Sequence, residues 1–131
     1  KIIDVAEKYD INLSLETDLN PKDFSQLLSE LSSLKFTVNY DTGNSASLGY
    51  NVLEEFMSYG HRITDIHIKD RKYNGGPVML GEGDVDFENF FKALSIIKYN
   101  NPFIMQAYRD DDGLKVFEKQ LDFFKKQLIK Y

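Results

Sequence analysis

The chain has 131 residues, with 16 Lys+Arg against 21 Asp+Glu, a formal charge of −5, 42% hydrophobic residues and no cysteine. That length suits one domain with a sizeable core rather than two, and the acidic balance argues against nucleic acid or an anionic membrane as partner, since both need a basic face. Zero cysteines exclude a disulfide scaffold, a thiolate metal site and a cysteine nucleophile, and they fit a reducing cytoplasm.

Residues 1–131 read as a single domain. The opening IIDVAEKYD has the look of mid-helix and starts on Lys1, so a piece of a longer protein is expected. No apolar run approaches the ~20 residues of a membrane span. INLSLE (11–16) is the first predicted strand. Asn20-Pro21, a capping residue followed by proline at the first helical position, opens a helix over 21–34 carrying Phe24, Leu27, Leu28, Leu31 and Leu34 at helical spacing. FTVNYD (36–41) is the second strand; residues 47–59 then place Leu48, Val52, Leu53, Phe56 and Met57 on one helical face. ITDIHIKD (63–70) is the third strand. The Gly-rich stretch that follows, 70–85, is longer than an ordinary strand-to-helix loop, and such loops are functional or disordered. Asp86 caps a helix over 87–98, PFIMQAY (102–108) is the fourth strand, and a helix over 113–130 is expected to bury Leu114, Phe117, Leu121, Phe124 and Leu128. Strand–helix alternation implies right-handed crossovers and a parallel sheet. The predicted fold is therefore α/β, four consecutive βα units of a (β/α) barrel, a half barrel, preceded by an extra helix.

The strands alternate. Leu13 and Leu15, Val38 and Tyr40, Ile66 and Ile68, and Phe103 and Met105 share one parity, and that greasy face must meet the helices. Opposite them stand Ser14, Glu16, Asn39, Asp41, Asp65, His67, Lys69 and Gln106, a polar face that suits the inner wall of a barrel or cleft. Glu16, Asp41, His67 and Gln106 each sit near the C-terminal end of their strand, where α/β barrels carry their sites. Two carboxylates, an imidazole and an amide oxygen suit one divalent ion, Mn²⁺, Mg²⁺, Co²⁺ or Zn²⁺. Any one of the four alone reads equally as a loop ion pair or a hydrogen-bonded structural residue.

LSLETD (13–18), NYDTGNSASLG (39–49), DIHIKDR (65–71), LGEGDVDF (80–87) and FIMQAYRD (103–110) together resemble the sugar phosphate isomerase/epimerase group of the xylose-isomerase-like TIM-barrel superfamily, which also contains endonuclease IV. The resemblance covers nearly the whole chain but only the C-terminal half of the family's eight-stranded barrel. It implies a metal site at Glu16, Asp41 and His67, with Glu16 also a proton-transfer base. The family's fourth ligand is usually glutamate, and Gln106 stands at that position. A neutral amide offers a carbonyl oxygen but takes no proton, so two-glutamate epimerisation lacks its second base while single-base or hydride-shift isomerisation stays open.

Lys69 is a second catalytic candidate, able to stabilise an enediolate oxygen or meet a phosphate, or else to pair with Asp65 or Glu16. Asn44 reads as a sugar-hydroxyl contact or a helix cap, in a turn that Gly43 allows to bend. Arg71 and Lys72 read as phosphate contacts or solvated cations, and Arg109 as a substrate contact or a partner of Asp110 or Asp111. GEGD (81–84) lacks the P-loop Lys-Ser/Thr and is expected to shape its loop. His61, at the opposite strand end, reads as structural. The expected function is a cytoplasmic, divalent-metal-dependent sugar or sugar-phosphate isomerase or epimerase, with a dehydratase on the same scaffold or a non-catalytic half-barrel binding module as alternatives. Endonuclease chemistry is disfavoured, since its several metals need many histidines and the chain has two. A half barrel exposes two strand edges, so closure by a second copy, a separate N-terminal chain or further residues is expected, and whether the isolated chain is active is left open.

Overall fold

The computed structural model describes residues 1–130. In chain order the elements are α1 (Ile2–Lys8), β1 (Leu13–Leu15), α2 (Pro21–Glu30), β2 (Phe36–Asp41), α3 (Thr42–Leu48), α4 (Val52–Tyr59), a short 3₁₀ turn (Gly60–Arg62) and β3 (Ile63–Ile68). A small hairpin of β4 (Asp70–Arg71) and β5 (Pro77–Val78) follows, then α5 (Phe87–Ile97), β6 (Phe103–Met105) and α6 (Leu114–Leu128). Strands β1, β2, β3 and β6 form one parallel sheet in that order, an arc of a (β/α) barrel.

Alternation on the strands decides which face the helices cover. Val38, Tyr40, Ile66 and Ile68 are buried against Phe24 and Leu28 of α2, Phe56 and Tyr59 of α4, Phe90, Phe91 and Leu94 of α5, and Phe124 of α6. Phe90 sits at the centre, its ring 6.3 Å from Tyr40, 6.0 Å from Phe56 and 5.2 Å from Phe91 between centroids. Each such side chain contributes about 1.5–3 kcal/mol by leaving water. One strand breaks its own parity: Val38 pairs with Ile63, but Asn39 pairs with Asp65. Thr64 is the extra residue of a β-bulge, which lets Ile63 enter the core while Asp65 and His67 keep the polar side.

The helices depart from expectation in three places. The helix predicted over 47–59 is two helices. α3 begins at Thr42 under a cap from Asp41, ends at Gly49 in the left-handed region (φ 74), and α4 restarts under Asn51, whose side chain accepts from the Glu54 N–H at 3.1 Å. Leu48 is consequently off the α4 face, and Met57 is exposed. The helix predicted over 21–34 stops at Glu30, leaving Leu34 exposed, although its Asn20 cap is present as expected. α6 is rotated from its predicted facing: Val116, Gln120 and Phe124 are buried, whereas Leu114, Phe117 and Leu128 are exposed. Its sequence is apolar on two faces, and the inward one is fixed by Gln120, whose amide donates to the Tyr108 carbonyl at 2.6 Å and accepts from the Leu80 N–H at 3.3 Å.

The long 70–85 connection is ordered around a carboxylate. Asp70 is fully buried and accepts from the N–H groups of Gly81 (2.8 Å), Gly83 (3.0 Å) and Val85 (3.2 Å). Burial pushes its pKa up, against the pull of those donors. GEGD thus shapes its loop by aiming amides at Asp70. Gly83 is required by the closeness of that approach, since a Cβ there would lie 1.9 Å from Asp70 Oδ1.

A second buried carboxylate ties helices together. Glu55 of α4 accepts from Tyr40 Oη (2.9 Å), Tyr59 Oη (2.8 Å) and Ser45 Oγ. Burial raises its pKa above the ordinary 4.5, although the three hydroxyls oppose the shift and Glu54 adds to it. Between those two values the native state holds a proton that the unfolded chain has released. Stability from this group is therefore present on the acid side and falls as pH rises through the folded pKa. Glu55→Gln is expected to flatten the dependence of unfolding free energy on pH above about 4.5, as read from urea midpoints at a series of pH values.

Candidate metal centre

The site lies on the polar face, at the C-terminal ends of β1, β2 and β3. Parallel pairing sets Leu15 beside Val38 and Asp41 beside His67, so Glu16, one residue past β1, comes level with Asn39, two residues before Asp41 on the same face. The ligand atoms of Glu16, Asp41 and His67 lie within 4.8 Å of one another. His67 Nδ1 is 3.6 Å from Glu16 Oε2 and 3.8 Å from Asp41 Oδ2. Glu16 is partly exposed, and the Asp41 side chain is 1% exposed.

Asp41 serves two purposes. Its Oδ1 accepts from the Asn44 N–H at 2.7 Å and caps α3. Its Oδ2 is buried without a hydrogen-bond donor, and the Lys69 Nζ is 3.6 Å away, beyond hydrogen-bond reach. A buried carboxylate oxygen left so is costly unless a cation approaches it. Two carboxylates and an imidazole converging there fit a hard or borderline divalent ion rather than a soft one.

Around these three, side chains fix orientation. Asn39 Nδ2 donates to Glu16 Oε2 at 2.8 Å and lies 3.2 Å from His67 Nε2. Asn44 Nδ2 donates to Glu16 Oε1 at 2.9 Å, and Arg71 Nη1 donates to Asn44 Oδ1 at 2.9 Å. Thr42 Oγ1 donates to the Lys69 carbonyl at 2.6 Å and accepts from its N–H at 3.0 Å, which locks the end of β3 to α3. Gly43 lies within α3 and bends no turn; its missing side chain makes room for Lys69, whose Cγ would be 2.8 Å from a Cβ.

The fold also settles where the remaining candidates stand. Lys69 faces neither Asp65 nor Glu16. It pairs with Asp41 and donates to Gln106 Oε1 at 3.1 Å, while Asp65 accepts from Ser14 and Thr64. Gln106 is exposed beyond β6 and joins the cluster through Lys69. Arg109 is exposed with no ion-pair partner among the described residues, so the expected pairing with Asp110 or Asp111 is absent. It lines a cavity of about 490 Å³ with Lys69, Pro77, Gln106 and Tyr108. Lys72 is exposed on the hairpin, and exposed His61 is in the 3₁₀ turn before β3, at the far strand end. Thr42 and Asp70 escape pattern reading, because a Thr at a helix start and an Asp at a loop edge are ordinary surface signals; Asn39 is placed on the polar wall by parity, but its contacts with Glu16 and His67 are not. Among the described residues no helix is long and apolar enough to cross a membrane.

The profile of the xylose isomerase-like TIM barrel family matches residues 1–127. Among curated proteins, the chain is 34% identical over 95 residues to SgbU of Escherichia coli (strain K12), provisionally named an L-ribulose-5-phosphate 3-epimerase, covering 67% of this chain and 33% of that protein. It is 28% identical over 89 residues to inosose dehydratase of Clostridium botulinum (strain Alaska E43 / Type E3), covering 54% of this chain and 30% of that protein. Among solved structures, the IolI protein with a bound zinc atom superposes with a TM-score of 0.79 at 17% identity over 99% of this chain and 53% of that one, a likeness of fold. The chain spans about a third of the curated relatives it matches and about half of the solved barrel.

Proposed function

Because the chain belongs to the xylose isomerase-like TIM barrel family, we propose that it contributes the metal-binding half of a cytoplasmic enzyme that moves a proton beside the carbonyl of a sugar or sugar phosphate. The observation that carries this reading is the convergence of Glu16, Asp41 and His67 around a buried Asp41 oxygen that lacks a donor. These three residues would hold the ion, with the Gln106 oxygen as a fourth candidate. A divalent cation supplies Lewis acidity, which makes a carbon-bound proton next to a carbonyl easier to remove.

The chain's own groups supply the rest. Glu16, the most exposed of the three, is the base that takes the proton, and the amides of Asn39 and Asn44 hold both its oxygens. Lys69 is placed to donate to the oxygen where negative charge develops, exchanging its contact with Gln106 for one with substrate. Arg109, unpaired beside the 490 Å³ cavity, suits an anionic or hydroxylated tail of the substrate. The remaining βα units of the ring, from the same polypeptide or another copy, complete the substrate pocket.

Gln106 supports one refinement. With an amide opposite Glu16, chemistry that needs one base is favoured, either isomerisation or the loss of a β-hydroxyl as water after the same proton abstraction. The second outcome matches the reaction named for the Clostridium botulinum relative. Incubation with Mn²⁺ in D₂O should exchange one carbon-bound proton of a ketose phosphate for deuterium, read by proton NMR, and Glu16→Gln should reduce the rate by about 100-fold or more. With an inosose instead, a product lighter by one water marks the dehydratase. No exchange and no dehydration across both substrate classes, with the ring complete and Mn²⁺ bound, would overturn the reading in favour of a binding module.

A further inference from the structure

We infer that Arg71 is a positioning residue for Glu16 that acts through Asn44, an inference that rests on the metal-centre reading above. An asparagine side chain has two opposite ends, a carbonyl that accepts and an NH₂ that donates, and their placement is set by the partners. Arg71 only donates. With its Nη1 on Asn44 Oδ1 at 2.9 Å, the NH₂ of Asn44 must face Glu16, and it reaches Oε1 at 2.9 Å. Without the guanidinium only Glu16 itself favours that orientation, and the far end of the amide loses the partner that fixes its place.

Arg71 is itself held. Its Nε donates to the Gly75 carbonyl at 3.0 Å in the β4–β5 hairpin, while the Asn44 N–H is held by Asp41 Oδ1 at 2.7 Å. A line of fixed donors thus runs from the hairpin to β1. The relay has a chemical advantage over direct contact. An arginine on Glu16 would compete with the divalent ion for the carboxylate, whereas an amide orients the same oxygens and leaves their charge available. Of the two sequence candidates for substrate contact, Asn44 has both polar ends engaged, by Arg71 and Glu16, and Arg71 directs its Nε and Nη1 to the hairpin and to Asn44.

The test is a double-mutant cycle on the whole chain, with Mn²⁺ alone as the probe, read by calorimetry or by the electron paramagnetic resonance of free Mn²⁺. Arg71→Met and Asn44→Ala should each weaken Mn²⁺ binding by about 10-fold or more, and the double variant should be no weaker than Asn44→Ala. The Asn44 side-chain amide resonances should also lose their distinct shift in Arg71→Met. Asn44→Ala leaves the Arg71–Gly75 bond in place and tests the relay even if Arg71→Met fails to fold. Losses that multiply in the double variant, or unchanged affinity in either single one, overturn this inference while leaving the metal centre standing. Failure of the unaltered chain to bind Mn²⁺ overturns the metal centre and this inference together.

Discussion

Replacing His67 by alanine is expected to lower Mn²⁺ affinity by about 100-fold or more, beyond the range typical of residues that only orient a ligand. His67 stands beside Asp41 in the β2–β3 register and supplies the only nitrogen of the cluster. Its removal leaves two carboxylates and no borderline ligand, a set that discriminates poorly between Mn²⁺ and Ca²⁺ or Mg²⁺. Asp41→Asn should show a more telling pairing of effects. Asparagine can still cap α3 through its oxygen, so the helix start survives. The buried anionic oxygen that receives no hydrogen bond disappears, and with it both the cost of burying it and its 3.6 Å ion pair with Lys69. Metal affinity should therefore collapse while metal-free stability changes by no more than about 1 kcal/mol. Parallel Mn²⁺ titration and urea denaturation check this. A large loss of stability in Asp41→Asn would mean that the carboxylate is there for the fold.

The largest stability effect is expected at Asp70. Three backbone N–H groups depend on its two oxygens, and each donor left without an acceptor costs about 1–3 kcal/mol when buried. Asp70→Ala should cost about 3 kcal/mol or more, lowering the melting temperature by roughly 10 °C. Gly83→Ala should approach the same loss from the other side, since its added carbon would lie 2.4 Å from Asp70 Cγ and 2.8 Å from the Arg71 carbonyl. Both changes act next to Arg71, so residual folded protein should also bind Mn²⁺ more weakly. Thermal melts followed by circular dichroism decide the first point. A melting temperature within about 2 °C of the unaltered chain would show that water replaces Asp70 at little cost.

The barrel arc was legible because a period of two survives on the four strands, and the apolar parity of Val38, Tyr40, Ile66 and Ile68 is the buried one. The convergence of Glu16, Asp41 and His67 was legible for the same reason: one parity at one strand end leaves them little choice of place. The break at Gly49 was not, because Leu48, Val52 and Phe56 happen to keep helical spacing across it. α6 misled through excess, with apolar residues enough for two faces and its inward side chosen by a polar residue, Gln120. Glu55 and Asp70 look like solvated acids in one dimension. Only the fold reveals that the first meets three hydroxyls and the second three amides.

The bulge at Thr64 separates two jobs that a regular strand would bind together. Upstream of it, Ile63 turns to the greasy interior; downstream, Asp65 and His67 keep the polar wall while Ile66 and Ile68 stay inside. The surplus residue resets the alternation, so Ile63 faces the helices and His67 the polar wall on one continuous strand. Paired in regular register, with Thr64 as an ordinary strand residue, Ile63 and His67 would share one face, and the strand would have to choose between turning an isoleucine into the barrel mouth and turning its imidazole into the oil.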